Sequence, residues 1–412
     1  MAATPESPQA FRLRSLTWSV YLPTLLFAIG QGAVIPIIPL FAKDLGASVA
    51  LASAIVAFRG FGTMAFDIPA GLLVGRVGER GAMVLATLAL GVVAIGAALS
   101  QSVWVYAGLV VAMGAAWSIW LLARLSFVTE VAPVEQRGRA LSLLGGANRV
   151  GNFVGPFAGG AAIWFAGNSS VFYVQAGLSG LACVCLFLFV KDDGRDKSAV
   201  HHGNIYQRLG QVVISNRRVF LTAGLAATAI GILRASRQAV IPLWGDSIGL
   251  DGGHISLIFG ISSALDMLLF YPVGIIMDRW GRKFAGVPCL LTMAIGMILI
   301  PLSGSFTSLL LASLLTSLGN GFGSGIVMTL GADFSPAIGR PDFLGVWRLV
   351  GDLGTAGGPA LLGIVAGFAS LSAASVATGG LGLAGAAIMI FLMEEPLHRN
   401  KSKAAPVRAA SP

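Results

Sequence analysis

The sequence predicts an all-α integral membrane protein, with 12 transmembrane helices in two pseudo-symmetric six-helix bundles. Three observations carry this. Of the 412 residues, 56% are hydrophobic and only 11% charged, and the mean hydropathy is +0.83; a soluble globule needs more polar surface than that. Apolar runs of roughly 18–28 residues, enough for a helix to cross a hydrocarbon core of about 30 Å, recur along the chain. Finally, marks 203 positions apart repeat without insertion: Pro39 with Pro242, Gly46 with Gly249, Pro69 with Pro272, Glu130 with Asp333, Arg137 with Arg340, and Gly155-Pro156 with Gly358-Pro359. Repetition at so long a period means two copies of one multi-span unit.

Residues 1–16 form a cytoplasmic N-terminal tail with two arginines and no short apolar core followed by a cleavage site. The first bundle, 17–190, holds spans at 17–41, 48–74, 82–100, 103–128, 139–166 and 171–190. A polar cytoplasmic linker occupies 191–218, in which Ile205, Leu209, Val212 and Val213 recur at helical spacing and predict a short amphipathic helix on the membrane face. The second bundle, 219–394, holds spans at 219–245, 254–277, 285–302, 306–334, 343–369 and 372–393. The tail 395–412 reads as disordered and cytoplasmic. The spans are helices because an open sheet cannot exist in lipid and the runs lack the alternation of barrel strands.

Charge placement sets the orientation. With both termini in the cytoplasm, the inner segments carry twenty Lys and Arg and the outer loops only Lys43. The net charge of +9 is therefore mostly a topology signal, and nucleic acid is not an expected partner. Cys183, Cys185 and Cys289 sit inside apolar runs, which argues against a disulfide framework and a metal site, and His201-His202 reads as solvated linker. The chain is expected to be a monomer in the cell membrane, with lipid around it and a small-molecule substrate.

Nine charged residues fall inside the spans away from their ends: Arg59, Asp67, Arg124, Arg149, Arg234, Arg237, Asp266, Arg348 and Asp352. A charge there is costly unless it meets a partner or a wet cavity, so each is a functional candidate. Asp67, Asp266 and Asp352 are the proton-coupling candidates, because desolvation and a neighbouring arginine pull a carboxyl in opposite directions. Asp67 ranks first and Asp266 second. By helical rise, Arg149 and Asp266 share a level roughly 18 Å above the cytoplasmic edge, and Asp67 and Arg348 share one roughly 12 Å above it. Arg234 and Arg237 lie on one helix face. Six arginines against three aspartates leave the interior net positive, which suits an anionic or neutral cargo.

The charged turn Gly274, Asp278, Arg279, Gly281, Arg282 and Lys283, its worn copy Gly71 to Arg80, and the run Gly151, Gly155, Pro156, Gly159 and Gly160 resemble the major facilitator superfamily, and within it the 12-span drug:proton antiporter branch. The resemblance implies a secondary active transporter working by alternating access, most simply proton-coupled efflux of amphipathic compounds or drugs. A permease or exchanger for an organic anion or metabolite is the alternative. It implies a cytoplasmic latch of Gly274, Asp278, Arg279, Arg282, Lys283 and Asp333, whereas Gly75 and Glu79 depart from the pattern in the first half. It implies a packed, kinked hinge in the fifth span at Gly151, Gly155, Pro156, Gly159 and Gly160.

The family's first, fourth, seventh and tenth spans face the cavity, which would make Gln31, Trp117, Trp120, Arg234, Arg237, Gln238 and Asn320, with Met113 and Met328, its lining. Its fifth span borders the eighth and its second the eleventh. Arg149 with Asp266, and Asp67 with Arg348, are thus expected to pair across the seam as a cytoplasmic gate, unless each charge is satisfied within its own half, as Arg59 with Asp67. The resemblance implies no enzyme and no cofactor beyond the coupling proton. The absence of a Gly-x-x-x-x-Gly-Lys-Ser/Thr loop excludes direct drive by ATP.

Overall fold

The computed structural model describes residues 13–190, 205–336 and 339–396; residues 1–12 of the expected N-terminal tail, the first part of the linker with His201-His202, and the C-terminal tail beyond 396 lie outside the described residues. The end of the expected N-terminal tail is instead a short helical turn, Leu13–Ser15, followed by the buried Leu16. Among the described residues every regular element is helical. The helices are α1 (Thr17–Asp44), α2 (Val49–Ala98), α3 (Val103–Val131), α4 (Val134–Ala166), α5 (Ser170–Phe189) and α6 (Ile205–Ser215). They continue with α7 (Arg217–Ser247), α8 (Gly252–Arg279), α9 (Lys283–Leu302), α10 (Phe306–Phe334), α11 (Arg340–Phe368) and α12 (Leu371–Phe391).

Ten of these helices are long and apolar enough to cross a membrane. The number differs from the twelve expected spans for two reasons. Helix α2 is fifty residues long and carries two of the expected spans, 48–74 and 82–100, changing direction at Gly78, whose φ of 77° is open to glycine. Helix α4 holds the expected span 139–166 but is too polar to qualify, because glycines, Asn148, Arg149 and Asn152 dilute its apolar residues. Helix α6 falls where the linker was expected to be helical, and its Val212 packs against the main core.

The duplication is visible in the packing. In α4, a Cβ at Gly151 would collide with Ala28 of α1, and one at Gly155 would meet the Ile29 carbonyl and lie 2.7 Å from the Gly32 Cα. In α11, the images Gly354 and Gly358 press in the same way on Gly231 and Ile232 of α7. Each second-bundle contact is its first-bundle counterpart shifted by 203 positions. The turns repeat too, with positive φ at Gly46 (88°) and Gly249 (84°) and at Gly78 (77°) and Gly281 (112°). Small residues let helix backbones approach closely, which is the main packing device where lipid offers no hydrophobic drive. The expected kink in α4 is not a break: the helix runs on through Pro156, and Gly151, Gly155 and Gly159 serve as the floor on which α1 lies.

Replacing Gly155 with Leu should therefore force α1 and α4 apart and cost roughly 1–3 kcal/mol of overpacking strain. In detergent the thermal midpoint of this variant should fall, whereas Gly177→Leu, where a Cβ meets nothing within 4 Å, should leave it in place.

Candidate functional site

A cavity of about 630 Å³ lies between the two bundles. Helices α3 and α4 contribute Arg124, Asn148, Arg149 and Asn152; α7, α8 and α10 contribute Arg237, Gln238, Asp266, Asn320 and Met328. Leu125, Leu141 and Leu144 extend it toward the arginine-rich end of the molecule, the one expected to be cytoplasmic.

At the opposite end the bundles close on each other. Trp164 and Asn168 crowd Gly253 and Gly252 of α8, and Gly363 and Gly367 of α11 pack on Ala50 of α2. Lys43 donates to Asp246 there, and these residues are themselves 203 positions apart. A residue that touches its own image lies on the axis relating the two copies, so this ion pair marks the pseudo-two-fold axis at the closed end. Both side chains are about one-third exposed, so the pair alone supplies little stability and the closure rests mainly on the glycine contacts.

The expected seam partners fare differently. Arg348 Nη2 lies 2.7 Å from Asp67 Oδ1, joining α11 to α2. Asp67 also accepts from Ser118 Oγ at 2.5 Å, and Asp352, one turn along α11, stands 3.6 Å from Arg348 Nε. Two carboxyl groups thus share one guanidinium across the seam. Arg149 and Asp266 do not pair directly. Arg237 takes Asp266 Oδ2 at 3.1 Å and Asn320 donates to the same oxygen at 2.8 Å, so the bonds this carboxylate makes lie within its own bundle, while its buried Oδ1 has no hydrogen-bond partner. Arg149 instead lays its guanidinium over the Phe270 ring, 4.1 Å from the centroid. Arg59 does not reach Asp67; it donates to Gln31 at 2.6 Å.

Of the expected cavity residues, Arg237, Gln238, Asn320 and Met328 line the space. Trp120 does not: it is fully buried and stacks on Phe27 at 4.7 Å, and Met113 is buried as well. Gln31 and Trp117 sit behind the wall, Gln31 held by Arg59 and Trp117 flanked by Arg59 at 5.9 Å and Arg124 at 5.6 Å. Arg234 is likewise outside the lining, donating to the Gly323 carbonyl at 2.6 Å where α10 breaks. Missed from sequence were the α4 and α8 walls. The signal was Asn148, Arg149 and Asn152 within one turn of an otherwise small-residue helix.

At the arginine-rich end, Arg282 is nearly buried, with Nε 2.7 Å from Asp333 Oδ2 and Nη1 donating to the Met277 carbonyl at 2.6 Å and, at 3.4 Å, to Asp278. Asp278 and Arg279 are exposed, and Gly274 has open space where a Cβ would be. Glu395 caps the turn, accepting from the Arg282 and Lys283 amides at 2.9 Å each. The first half is fastened too, despite Gly75 and Glu79. Arg80 donates to the Phe187 carbonyl at 2.9 Å, and its image Lys283 to that of Ile390, the image of Phe187, at 2.8 Å. Glu79 accepts from Ser126 at 3.1 Å in place of the arginine–aspartate bond.

Duplicated helical bundles enclosing a charged cavity at their seam define a membrane transporter. A family profile described as Major Facilitator Superfamily matches residues 20–236 and 225–411, and the chain belongs to that superfamily. It is a transporter and not an enzyme. It is similar to a "Multi-drug resistance efflux pump PmrA homolog" of Lactococcus lactis, 24% identical over 360 residues that cover 84% of this chain and 86% of the relative. It is also similar to "Multidrug resistance protein MdtG" of Escherichia fergusonii, 25% identical over 307 residues, 72% of this chain and 74% of the relative. Among solved structures, a D-xylose-proton symporter shares the fold with a TM-score of 0.71 at 16% identity, over 93% of this chain and 98% of its own.

If Asp67 and Arg348 are energetically coupled across the seam, Asp67→Asn and Arg348→Gln should not add. The double variant should be less destabilised than the sum of the singles by roughly 0.5–3 kcal/mol. Additive losses in a thermal double-mutant cycle would show that the bridge carries no energy.

Proposed function

We propose that the protein is a secondary active transporter that works by alternating access and exports amphipathic small molecules or drugs in exchange for protons. It would lie in the cell membrane as a monomer with both termini cytoplasmic, its two bundles corresponding to residues 17–190 and 219–394. The observation that carries this reading is the Asp67, Arg348 and Asp352 cluster, in which two carboxyl groups compete for one guanidinium between α2 and α11. A proton arriving on either carboxyl leaves the other in sole possession of Arg348, so protonation and seam contact are linked. Asp67, bonded across the seam, remains the first proton-coupling candidate. Asp352 now ranks above Asp266, because Asp266 is held within its own bundle by Arg237 and Asn320. The names of the two relatives, both of multidrug resistance proteins, agree with export.

In this reading Asp67–Arg348, formed here while the opposite end is closed, is a proton-sensitive seam contact and not the barrier that shuts the cytoplasmic side; the latch around Arg282 fastens the second bundle, and Gly151, Gly155, Pro156, Gly159 and Gly160 form the surface on which α1 and α4 move together. A second reading, an organic-anion or metabolite permease or exchanger, is favoured by the cavity's arginines: Arg124, Arg149 and Arg237 against Asp266.

In proteoliposomes, Asp67→Asn should abolish substrate movement driven uphill by a pH gradient while sparing energy-independent counterflow, and Asp352→Asn should do so in part. Undiminished uphill transport in Asp67→Asn, read from a pH-sensitive dye and substrate counts together, would remove Asp67 from the coupling path.

A further inference from the structure

The cations of the cavity are unequally compensated. Arg237 meets Asp266 at 3.1 Å. Among the described residues Arg124 forms no ion pair, and Arg149 has no direct ion pair, feeling Asp266 only at longer range. Arg124 is only 6% exposed, its Nε has no hydrogen-bond partner, and its Nη1 reaches the Asn148 side-chain oxygen at a long 3.4 Å. Arg149 rests on the Phe270 ring; the nearby Asp266 is bonded on Oδ2 by Arg237 and Asn320, and its Oδ1, without a hydrogen-bond partner, makes no direct contact with Arg149. Cation–π contacts offset only part of the cost of holding a guanidinium away from bulk water. Asn148 and Asn152 lie one turn apart on α4 and line the same cavity, whose wall also offers apolar surface, including Leu121 and Phe259, beside the polar Arg237, Gln238, Asp266 and Asn320 of the second bundle.

We propose that Arg124 and Arg149, with the side-chain amides of Asn148 and Asn152, form a binding subsite for the anionic group of an amphipathic cargo, whose apolar part lies against Leu121 and Phe259. The proposal rests on the reading of this cavity as the transport route and narrows its cargo to amphipathic anions. A carboxylate, sulfonate or phosphate accepts the forked donors of a guanidinium, and the asparagine amides complete its coordination. Arg234 and Arg237, the arginine pair conspicuous in the sequence, are not this subsite: Arg234 is committed to the Gly323 carbonyl, and Arg237 to Ser317 and Asp266. The anion can reside on a soluble amphiphile or on a lipid headgroup, which present the same chemistry.

The test uses the full chain in phosphatidylcholine nanodiscs and two fluorescent probes with one aromatic frame, 8-anilinonaphthalene-1-sulfonate and the uncharged N-phenyl-1-naphthylamine. The wild type should bind the sulfonate, and Arg149→Gln and Arg124→Gln should each weaken that binding roughly tenfold or more, while changing affinity for the neutral probe by less than about twofold. Arg149→Lys should fall between. Because Arg124 is buried, Arg149→Gln, facing the cavity, is the decisive variant, with gel filtration confirming its fold. Sulfonate binding unchanged in Arg149→Gln, both probes weakened alike, or no sulfonate binding by the wild type would overturn the subsite. Added phosphatidylglycerol that displaces the sulfonate from the wild type assigns the anion to a headgroup; sulfonate binding undisturbed by it assigns a soluble amphiphile, and either supports the subsite. Arginine-dependent binding without flux of either probe in proteoliposomes upholds the subsite and overturns the export reading; flux of the neutral probe without arginine-dependent sulfonate binding does the reverse.

Discussion

A charge within the hydrocarbon must be paired, hydrogen-bonded or wet, and the arrangement of this protein follows from that requirement. The embedded ionisable groups turn inward to one another or to the cavity: Arg59 to Gln31, Arg234 to a carbonyl freed by the break in α10, Arg237 and Asn320 to Asp266, and Arg348 to Asp67. Helix contacts built on glycine bring the backbones close enough for these short reaches. The bundles therefore meet along a polar interface, and polar interfaces between rigid bodies can be remade in a second arrangement without exposing unsatisfied groups to lipid.

The repeat supplies matched positions, and substitution at those positions supplies difference. The image of Asp67 is Phe270, and the image of Asp352 is Arg149. Along α2 and α11, Asp67 and Asp352 meet as two carboxyl groups around Arg348; along α4 and α8, their images meet as an arginine over an aromatic ring. One scaffold contact has thus become acidic on one side of the molecule and cationic on the other. In the function proposed here, the acidic seam answers to protons and the cationic seam to cargo. Where the images stay alike, as at Gly155 and Gly358 or Gly78 and Gly281, the role is packing or turning the chain.

Much of this was legible in the sequence because membranes restrict the choices so strongly. Length and hydropathy located the helices, and the 203-residue offset paired positions such as Arg80 with Lys283, whose matched carbonyl contacts only the structure shows. Helical rise alone put Asp67 level with Arg348. It put Arg149 level with Asp266 as well, yet depth says nothing about azimuth, and Asp266 turns toward Arg237 and Asn320. For the same reason Trp120 was legible as aromatic surface but not as a ring facing Phe27 inside the bundle. Glu395 could not be foreseen either, since its contact with the Arg282 amide joins residues 113 positions apart through a bend with no periodic signal.

The central claim is that the two bundles move as units about the axis marked by Lys43 and Asp246, so the closed end must open during transport. A Cβ at Gly367 would lie 3.3 Å from that of Ala50 across this closed end, close enough for a disulfide. In a background lacking Cys183, Cys185 and Cys289, Ala50→Cys with Gly367→Cys should stop transport when oxidised and regain it on reduction. Full transport with that disulfide intact would contradict the account.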